Sequence, residues 1–417
     1  MLLTLLHGCF GLIALFLIAW LMSEGRFALP WRVICGGVLL QIALAILLVK
    51  FAPAAKPLLL LDEAVGGLQK AADAGTSLVF GYLGGAPLPF AETHPGASFI
   101  LAFRAFPLVL VISALASLLL YWGILQRIVA AFAWGLRRTL GIGGALGLGA
   151  AVHIFVGMIE APLLVRPYLL KMSRGELFAL MSCGMAGIAG TVMVIYAAIL
   201  GSTVPDALGH ILIASVISTP AALAIAAVMI PFAPDTDTSA KLVIDDPPAS
   251  AMDAIVRGTL DGIGLLAAII AMLIVLVALV TLVNMMLGLL PQVAGAPITL
   301  QRLFALLFEP LLWLIGIPKD DLGAAASLMG TKTVINEFVA YLALAHLPQN
   351  ALSARAQLMM IYALCGFANF GSVGIMIGGM TAMAPERRQE IVELAMRSLI
   401  SGTLATLSSG AVVGMLI

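Results

Sequence analysis

The sequence is poor in charged residues. Of its 417 residues, 21 are Lys or Arg and 21 are Asp or Glu, which is 10% of the chain, while 62% are hydrophobic. A soluble domain is about 25% charged. So few charges could not cover the surface of one or two water-soluble domains, and the composition therefore indicates a polytopic membrane protein.

The chain also has no excess of either charge sign and few cysteines. Its formal net charge is zero, so nothing in the composition indicates a polyanionic partner such as nucleic acid, and none is expected. None of the four cysteines has a neighbour at metal-ligand spacing, so neither a metal site nor a disulfide framework is expected. They are Cys9, Cys35, Cys183 and Cys365.

Hydrolase motifs are missing as well. The sequence contains neither HExxH nor GxSxG, and no nucleophile stands beside a base. The chain is therefore not expected to be an enzyme or to carry an organic cofactor. An intramembrane hydrolase that uses Glu160 and His153 remains an alternative, as does a passive channel.

Long apolar runs make up most of the chain. A membrane-spanning helix needs about 20 mostly apolar residues, and about eight segments qualify. The run 255–289 is longer than one crossing needs, so a strong tilt or a surface portion is expected there. The segments are Leu3–Met22, Val33–Val49, Ser98–Leu125, Leu177–Leu200, Ile211–Ile230, Ile255–Leu289, Ala356–Met380 and Ile391–Ile417.

Polar and amphipathic segments separate these spans. Gln126–Leu140 and Pro53–Gly75 mix charges with leucines, the pattern of helices on the membrane surface. Pro231–Asp253 is acidic and contains prolines, which indicates an exposed loop between two halves. Basic residues in the short loops fall on one side of the membrane, which places both termini outside. These are Arg26, Arg32, Arg127, Arg137, Arg138, Arg387 and Arg388.

Two segments combine apolar character with a charged cluster, and they occupy corresponding places in the two halves. Gly143–Lys171 contains HIFVGMIEAPLLVRPYL, and Pro318–Leu347 contains GTKTVINEFVAYLALA. Each is followed by a span with Cys-Gly and small residues, Ser182–Gly190 and Leu364–Ser372. Paired interrupted segments of this kind point to a transporter binding site near the bilayer midplane.

Glu160 and Glu337 are the acids within these two segments. A charge at the bilayer centre costs about 2.5–3.5 kcal/mol on insertion scales, so such acids mark functional sites by default. The alternative is a structural ion pair with Arg166 or Lys332. Carboxylates accept strong hydrogen bonds from hydroxyl groups, which suits a polar neutral ligand.

Neutral polar residues and one histidine accompany the two acids. Asn336, Asn369 and Ser372 supply donors and acceptors that suit a heterocyclic base edge, or else they bond backbone groups freed at helix breaks. Phe367 can stack on a ligand ring, although one aromatic residue in an apolar span is more often packing. His153 can relay protons near neutral pH, or it packs as a neutral side chain.

These residues resemble the concentrative nucleoside transporter family, bacterial branch, from about residue 75 to the C-terminus. The similarity is carried by GTSLVFG (Gly75–Gly81), FRAFPLVLVISAL (Phe103–Leu115), the EAPLLVRPYL run, KTVINEFVAY (Lys332–Tyr341) and CGFANFGSVGI (Cys365–Ile375). The EAP, NEFVA and GFAN cores together form a specific constellation.

The resemblance implies a fold and an assembly. It implies an all-α polytopic membrane protein with about eight transmembrane helices and two re-entrant hairpins in inverted repeats, working as an elevator-type homotrimer in the inner membrane. The hairpins fall at Gly143–Lys171 and Pro318–Leu347. Residues 1–140 would be mainly scaffold, 141–230 the first transport repeat, 231–317 an acidic loop with a long scaffold span and an interfacial helix, and 318–417 the second transport repeat.

The resemblance also assigns site residues. In the family the ribose is held by residues that correspond here to Glu337, Asn369 and Ser372, with Phe367 nearby. The base is contacted from the first hairpin. That side of the site would comprise Gly157, Met158, Ile159, Glu160 and Val192.

This chain departs from the sodium-driven members at the first hairpin. His153 replaces an Asn that helps to ligate sodium, and Gly187 replaces a companion Ser, while the backbone carbonyls of Val156 and Ile188 remain available. Sodium prefers oxygen ligands, so proton coupling is favoured over sodium coupling.

Met158 and Ile159 replace the Gln and Thr that bond the base edge. A broader or purine-shifted preference is expected, because lost hydrogen-bonding groups reduce discrimination. The sequence therefore predicts a cation-coupled importer of nucleosides such as uridine or adenosine. The alternatives are sodium coupling, or the same fold carrying nucleobases or modified nucleosides.

Overall fold

The computed structural model describes residues 2–51, 67–92, 98–158, 160–201, 203–232, 247–293, 295–348 and 350–417. Within these ranges the protein is helical and contains no β-strand. The helices, in chain order, are α1 (Leu2–Leu21), α2 (Trp31–Ala45), α3 (67–80), α4 (Leu101–Arg104), α5 (Leu108–Tyr121), α6 (Ile124–Leu140), α7 (Gly144–Val152), α8 (Glu160–Leu164), α9 (Arg166–Leu169), α10 (Arg174–Ala186), α11 (Gly190–Leu200), α12 (Ala207–Met229), α13 (Ala251–Leu287), α14 (Leu300–Leu314), α15 (Leu322–Val334), α16 (Glu337–Ala345), α17 (Ala354–Leu364), α18 (Phe370–Met383) and α19 (Arg388–Leu416).

Eight crossings can be assembled from these helices. Six stretches of the described chain are long and apolar enough to span a membrane, namely α1, α2 with the π-helical turn Ile46–Lys50, α4 with α5, α12, α13 and α19. Two more are formed by the pairs α10–α11 and α17–α18, each of which is interrupted in the middle. The predicted all-α fold with about eight crossings is confirmed.

Several expected spans have different internal structure. The run 98–125 is divided into α4 and α5 by a turn that ends at Pro107, and the run 177–200 is not continuous because it breaks between Ala186 and Gly190. By contrast, the long run 255–289 is one unbroken helix of 37 residues, α13. Residues 53–66 of the expected surface segment lie outside the described residues, and so does most of the acidic loop, 233–246.

The two hairpins lie where the sequence places them. α7 runs into a turn at His153 and returns through the short helices α8 and α9, and α15 returns through α16 after a turn at Ile335 and Asn336. Each hairpin precedes an interrupted crossing and then a long, deeply buried helix, α12 in the first half and α19 in the second. The order of elements is therefore the same in both halves.

The interior is centred on α12 and α19, which pack against each other and against α1, α2 and α10. A fully buried polar network reinforces this contact. The Ser408 hydroxyl donates to Gln41 Oε1 on α2 at 2.9 Å, Gln41 Nε2 donates to Ser409 Oγ at 3.2 Å, and Ser218 on α12 lies 2.9 Å from Ser409 Oγ. α1 and α2 thus pack against α12 and α19, the long buried helices of the two repeats. The assignment of residues 1–140 to the scaffold stays a prediction.

α13 packs mainly against α5 and is otherwise exposed. The crossing is close because α13 presents glycines there: a Cβ added at Gly258 would lie 2.6 Å from the Ser113 carbonyl oxygen. Small residues permit this close backbone approach in helices that pack within a membrane.

Candidate functional site

Glu337 lies at the first turn of α16, directly after the turn of the second hairpin. The turn ends because Asn336 adopts extended backbone and caps α16, its Oδ1 accepting from the Val339 N–H at 3.0 Å. A carboxylate at a helix N-terminus is stabilised by the helix dipole. The capping geometry therefore fixes where the Glu337 carboxylate points.

The Glu337 carboxylate is buried and bonded to two other elements. Tyr196 on α11 donates its hydroxyl to Oε1 at 2.7 Å, and Asn369 donates its Nδ2 amide to Oε2 at 2.9 Å. Only 4% of Glu337 is exposed. The carboxylate thus joins the second hairpin to the interrupted crossings of both halves.

The break between α17 and α18 is built around Asn369. Asn369 has extended backbone and caps α18, its Oδ1 accepting from the Ser372 N–H at 2.8 Å. The Nδ2 of the same side chain donates to Glu337, so Asn369 both caps α18 and bonds the carboxylate. The structure brings Glu337, Asn369 and Ser372 together as the sequence predicts, with Phe367 half-buried two residues away.

Lys332 is the buried cation of this half. It is fully enclosed, and its Nζ donates to the Ala363 carbonyl at 2.8 Å and to Thr406 Oγ1 at 3.2 Å. Ala363 is one of the last residues of α17, whose final carbonyls have no partner within the helix. The sequence offered Lys332 as an ion-pair partner for Glu337, but no Lys332–Glu337 contact within 4 Å exists among the described residues.

The first hairpin turns at His153, which is 2% exposed. A Cβ added at Gly184 on α10 would lie 3.1 Å from His153 Cε1, so the ring rests against the interrupted crossing. The buried Nε2 atom has no hydrogen-bond partner among the described residues. Burying a polar atom without a hydrogen bond costs free energy. His153 therefore carries an unsatisfied hydrogen-bonding group at the turn of the first hairpin.

The other predicted residues of the first hairpin surround this turn. Gly157 and Met158 are buried and Val156 is half-buried, while Val192 on α11 is 8% exposed. Glu160 begins α8. Ile159 lies outside the described residues.

The break between α10 and α11 is held mainly by backbone contacts. The Gly190 N–H donates to the Phe155 carbonyl at 3.0 Å, and a Cβ added at Gly190 would lie 2.6 Å from that oxygen, so glycine is required. The Ile188 N–H points at Ser215 Oγ on α12, 3.5 Å away. Gly187 is extended, with φ −107° and ψ 176°.

The two breaks touch each other. The Phe367 N–H donates to the Gly187 carbonyl at 3.1 Å. Backbone groups freed at membrane depth must find partners inside the protein, and here each interrupted crossing supplies a partner to the other. The contact joins the break that follows the first hairpin to the break that contains Phe367 and Asn369.

Two contributors were not predicted from the sequence, Tyr196 and Ser215. Both belong to continuous apolar helices with no local motif. Tyr196 is one of only six tyrosines in the chain, which is the one weak signal available. Its role becomes visible only when α11 is placed beside the second hairpin.

Comparison with known proteins identifies the family. Residues 210–414 match the family model described as Na+ dependent nucleoside transporter C-terminus, residues 10–83 match its N-terminus, and residues 102–203 match a nucleoside recognition domain. An uncharacterized transporter of Haemophilus influenzae is 36% identical over 99% of this chain and 98% of its own length. The chain belongs to the concentrative nucleoside transporter family.

Two further comparisons agree with this assignment. Nucleoside permease NupC of Helicobacter pylori is 32% identical over 100% of this chain and 99% of its own length. The structure of CNTnw in an inward-facing substrate-bound state is 34% identical, with a TM-score of 0.89 and 98% of both chains covered. The protein is thus a multi-pass nucleoside transporter, and its family is one of transporters rather than enzymes.

Proposed function

We propose that this nucleoside transporter is a secondary active importer of the bacterial inner membrane, coupled to an inward proton gradient. The observation that carries the proton assignment is His153. Its imidazole stands where sodium-driven members have an oxygen-bearing side chain, and its buried Nε2 has no partner among the described residues. An imidazole is a poor ligand for a hard cation and can carry a proton. Burial disfavours its charged form, so proton uptake by His153 requires water to reach Nε2 during the transport cycle.

The ribose side of the proposed site is the Glu337–Asn369–Ser372 group. Charge-assisted hydrogen bonds are the strong ones, and the carboxylate already accepts two, from Tyr196 and Asn369. Ribose hydroxyls would add to these bonds or exchange with them, which ties nucleoside binding to the position of the second hairpin.

The base side is expected to be less selective. Met158 lies against Gly184, 3.2 Å from a Cβ added there, and presents an apolar surface where the sodium-driven members have a hydrogen-bonding side chain. We infer a broad preference that includes purine nucleosides. The resemblance assigns the remaining polar contact to Glu160, whose side chain lies outside the described part of the structure. Competition for uptake among the common nucleosides tests this inference, and strict uridine selectivity would contradict it.

Assembly and motion belong to the same proposal. The family resemblance implies a homotrimer in which the part that carries both hairpins moves across the membrane as an elevator, with both termini periplasmic. CNTnw, a relative of the same fold, has been solved in an inward-facing state. The exposed apolar surface of α13 agrees with a helix that faces lipid or another protomer.

Sodium coupling is the second candidate. The family description names sodium, and Ser215 brings a buried hydroxyl oxygen to the first break, 3.7 Å from a Cβ added at Gly187. That oxygen and backbone carbonyls could serve as sodium ligands without an Asn at position 153.

The decisive experiment is uptake of labelled uridine and adenosine into proteoliposomes under an inward proton gradient or an inward sodium gradient. Accumulation above equilibrium driven only by protons supports the proposal. Accumulation that requires sodium and is lost in Ser215→Ala supports the sodium alternative. Uptake that never exceeds equilibrium would indicate a passive pore, and no uptake of either nucleoside would reject the substrate assignment.

A further inference from the structure

A cavity lies at the end of the bundle where α1 begins. It is an open depression lined by the first turns of α1, the C-terminal end of α14 and the first turn of α17, and its volume is about 450 Å³. His7, Trp313 and Arg355 provide its polar and aromatic lining, while Leu6 and Phe10 provide its apolar side. None of the residues assigned to the nucleoside site lines this cavity.

Arg355 gives the cavity an unbalanced positive charge. Its guanidinium is held by two backbone carbonyls, Gly316 from Nη1 and Gly414 from Nη2, each at 2.8 Å. Within the described residues the Nε–H has no partner, and no carboxylate lies within 4 Å of the group. Arg355 is half-buried and no counter-charge lies beside it, so an anion that entered the cavity would be attracted to it.

His7 adds a second unsatisfied group. Its buried Nε2 has no hydrogen-bond partner in the described ranges, and its ring meets Trp313 edge-on, with centroids 5.1 Å apart and an interplanar angle of 63°. An imidazole with a free ring nitrogen can donate a hydrogen bond to an anionic oxygen. The tryptophan holds the ring in place and closes one side of the cavity.

The cavity opens toward an apolar surface. Leu6 is 57% exposed and Phe10 54% exposed, and Ile13 and Leu17 continue the exposed stripe along α1. α1 is long enough to cross a membrane, and tryptophan is enriched at the membrane–water interface. The polar groups at the end of α1 would suit the head group of a phospholipid, and the apolar stripe beside them would suit its acyl chains.

We propose that this cavity binds a phosphate-bearing anion, and that in the membrane the anion is the head group of a phospholipid. Arginine binds phosphate through paired N–H groups, and His7 lines the same cavity. The acyl chains would lie along Leu6 and Phe10. Such a lipid would contact three elements and hold them together, since α1, the end of α14 and the start of α17 all line the cavity.

Native mass spectrometry of the delipidated full-length protein tests the proposal. The probes are short-chain phosphatidylglycerol, short-chain phosphatidylcholine and inorganic phosphate, with thermal stability as a second readout. We expect saturable binding of phosphatidylglycerol, about tenfold tighter than that of phosphatidylcholine because the cavity charge is positive, together with a raised midpoint of thermal unfolding.

Two variants and one control locate the binding. Arg355→Gln and His7→Leu should each weaken phosphatidylglycerol binding at least tenfold, while Arg127→Gln, at an exposed position on α6, should leave it unchanged. Arg355 also braces two carbonyls, so His7→Leu, which breaks no described hydrogen bond, provides the test that does not depend on folding.

Each outcome decides the question. Equally tight binding of inorganic phosphate, weakened by the same variants, would keep the phosphate site and reject the lipid as its occupant. Absence of saturable binding by every probe, or binding that neither variant weakens, would overturn the proposal.

Discussion

The two helix breaks occupy equivalent places in the two halves of the molecule, yet they are held together by different chemistry. The break between α17 and α18 is bonded through side chains: Asn369 holds Glu337, and Lys332 holds the Ala363 carbonyl. The break between α10 and α11 is bonded mainly through backbone groups, and within the described part of the chain His153 Nε2 beside it has no partner.

This difference shows that the inverted repeat conserves geometry more than chemistry. Both halves supply a hairpin, an interrupted crossing and a long buried helix. The second half has a set of polar groups that bond one another and to which our proposal assigns the ribose, whereas the first half carries the residues to which it assigns the cation and the base. We therefore expect variants of the second break to change binding and stability, and variants of the first break to change coupling.

The largest expected effect is that of Glu337→Gln. The amide loses the charge that strengthens the bonds from Tyr196 and Asn369, and a bond to a charged group contributes about 1.5–3 kcal/mol. We expect kcat/KM for nucleoside uptake to fall roughly 100-fold or more. Glu309→Gln, exposed on α14, is the matched control, and equal effects of the two variants would remove Glu337 from the site.

The second largest effect is expected for Lys332→Met, which should lower the free energy of unfolding. The variant leaves the Ala363 carbonyl and the Thr406 hydroxyl without their donor, and after the gain from no longer burying a charge the net loss should be about 1–3 kcal/mol. Thr406→Val removes only one of the two acceptors and should cost less. Thermal unfolding in detergent measures both, and a Lys332→Met protein as stable as the wild type would show that the ammonium does not hold the second break.

Tyr196→Phe tests the contact between the two halves, because Tyr196 lies in the first half and its hydroxyl bonds Glu337 in the second. Losing its 2.7 Å bond to Glu337 frees the carboxylate to turn, and we expect KM to rise roughly tenfold with little change in kcat. Tyr362→Phe, whose hydroxyl pairs with His210 instead, should leave KM within about twofold. An unchanged KM in Tyr196→Phe would mean that the bond does not position the acid.

The smallest effect concerns the loop between α1 and α2, where Glu24 pairs with Arg174 and Arg397. The hydrogen bond from Arg174 holds the pKa of Glu24 below its ordinary value of 4.5. A carboxyl whose pKa is lowered in the folded state stabilises the fold above pH 4.5, and this contribution is lost as the pH falls through the folded-state pKa.

Glu24→Gln should therefore flatten the loss of thermal stability below pH 4.5, by less than about 1 kcal/mol because the pair is partly exposed. Glu386→Gln, at an exposed position, should leave the profile unchanged. A Glu24→Gln profile identical to that of the wild type would contradict the assignment.

Much of this architecture could be predicted from sequence because membrane-spanning helices are recognised by length and composition alone. Both hairpins fall within the predicted segments: α7 to α9 end at Leu169, and α15 with α16 ends at Ala345. The resemblance to the family placed Glu337 and Asn369 at the same ligand, but the hydrogen bond between them was not predicted. Composition by itself would not have joined residues 32 positions apart.

What the sequence could not supply are contacts between segments that look uniformly apolar. The break after Ala186 interrupts a hydrophobic run, because Gly190 must approach Phe155 and Gly187 must accept from Phe367, and neither partner is local. Tyr196 lies on the helix that follows. Lys332 looked like a counter-ion for Glu337, yet a helix end and a hydroxyl satisfy it instead.

The measurement that tests the central claim is nucleoside accumulation by the wild type and by the double variant His153→Asn with Gly187→Ser, each under proton and sodium gradients. The extended backbone at position 187 suits a serine, although an added Cβ lies 3.3 Å from the His153 carbonyl oxygen, which must shift by a few tenths of an ångström. Our account predicts that the wild type is driven by protons and that the double variant gains dependence on sodium. Sodium-driven accumulation by the wild type, unchanged in the double variant, would contradict it.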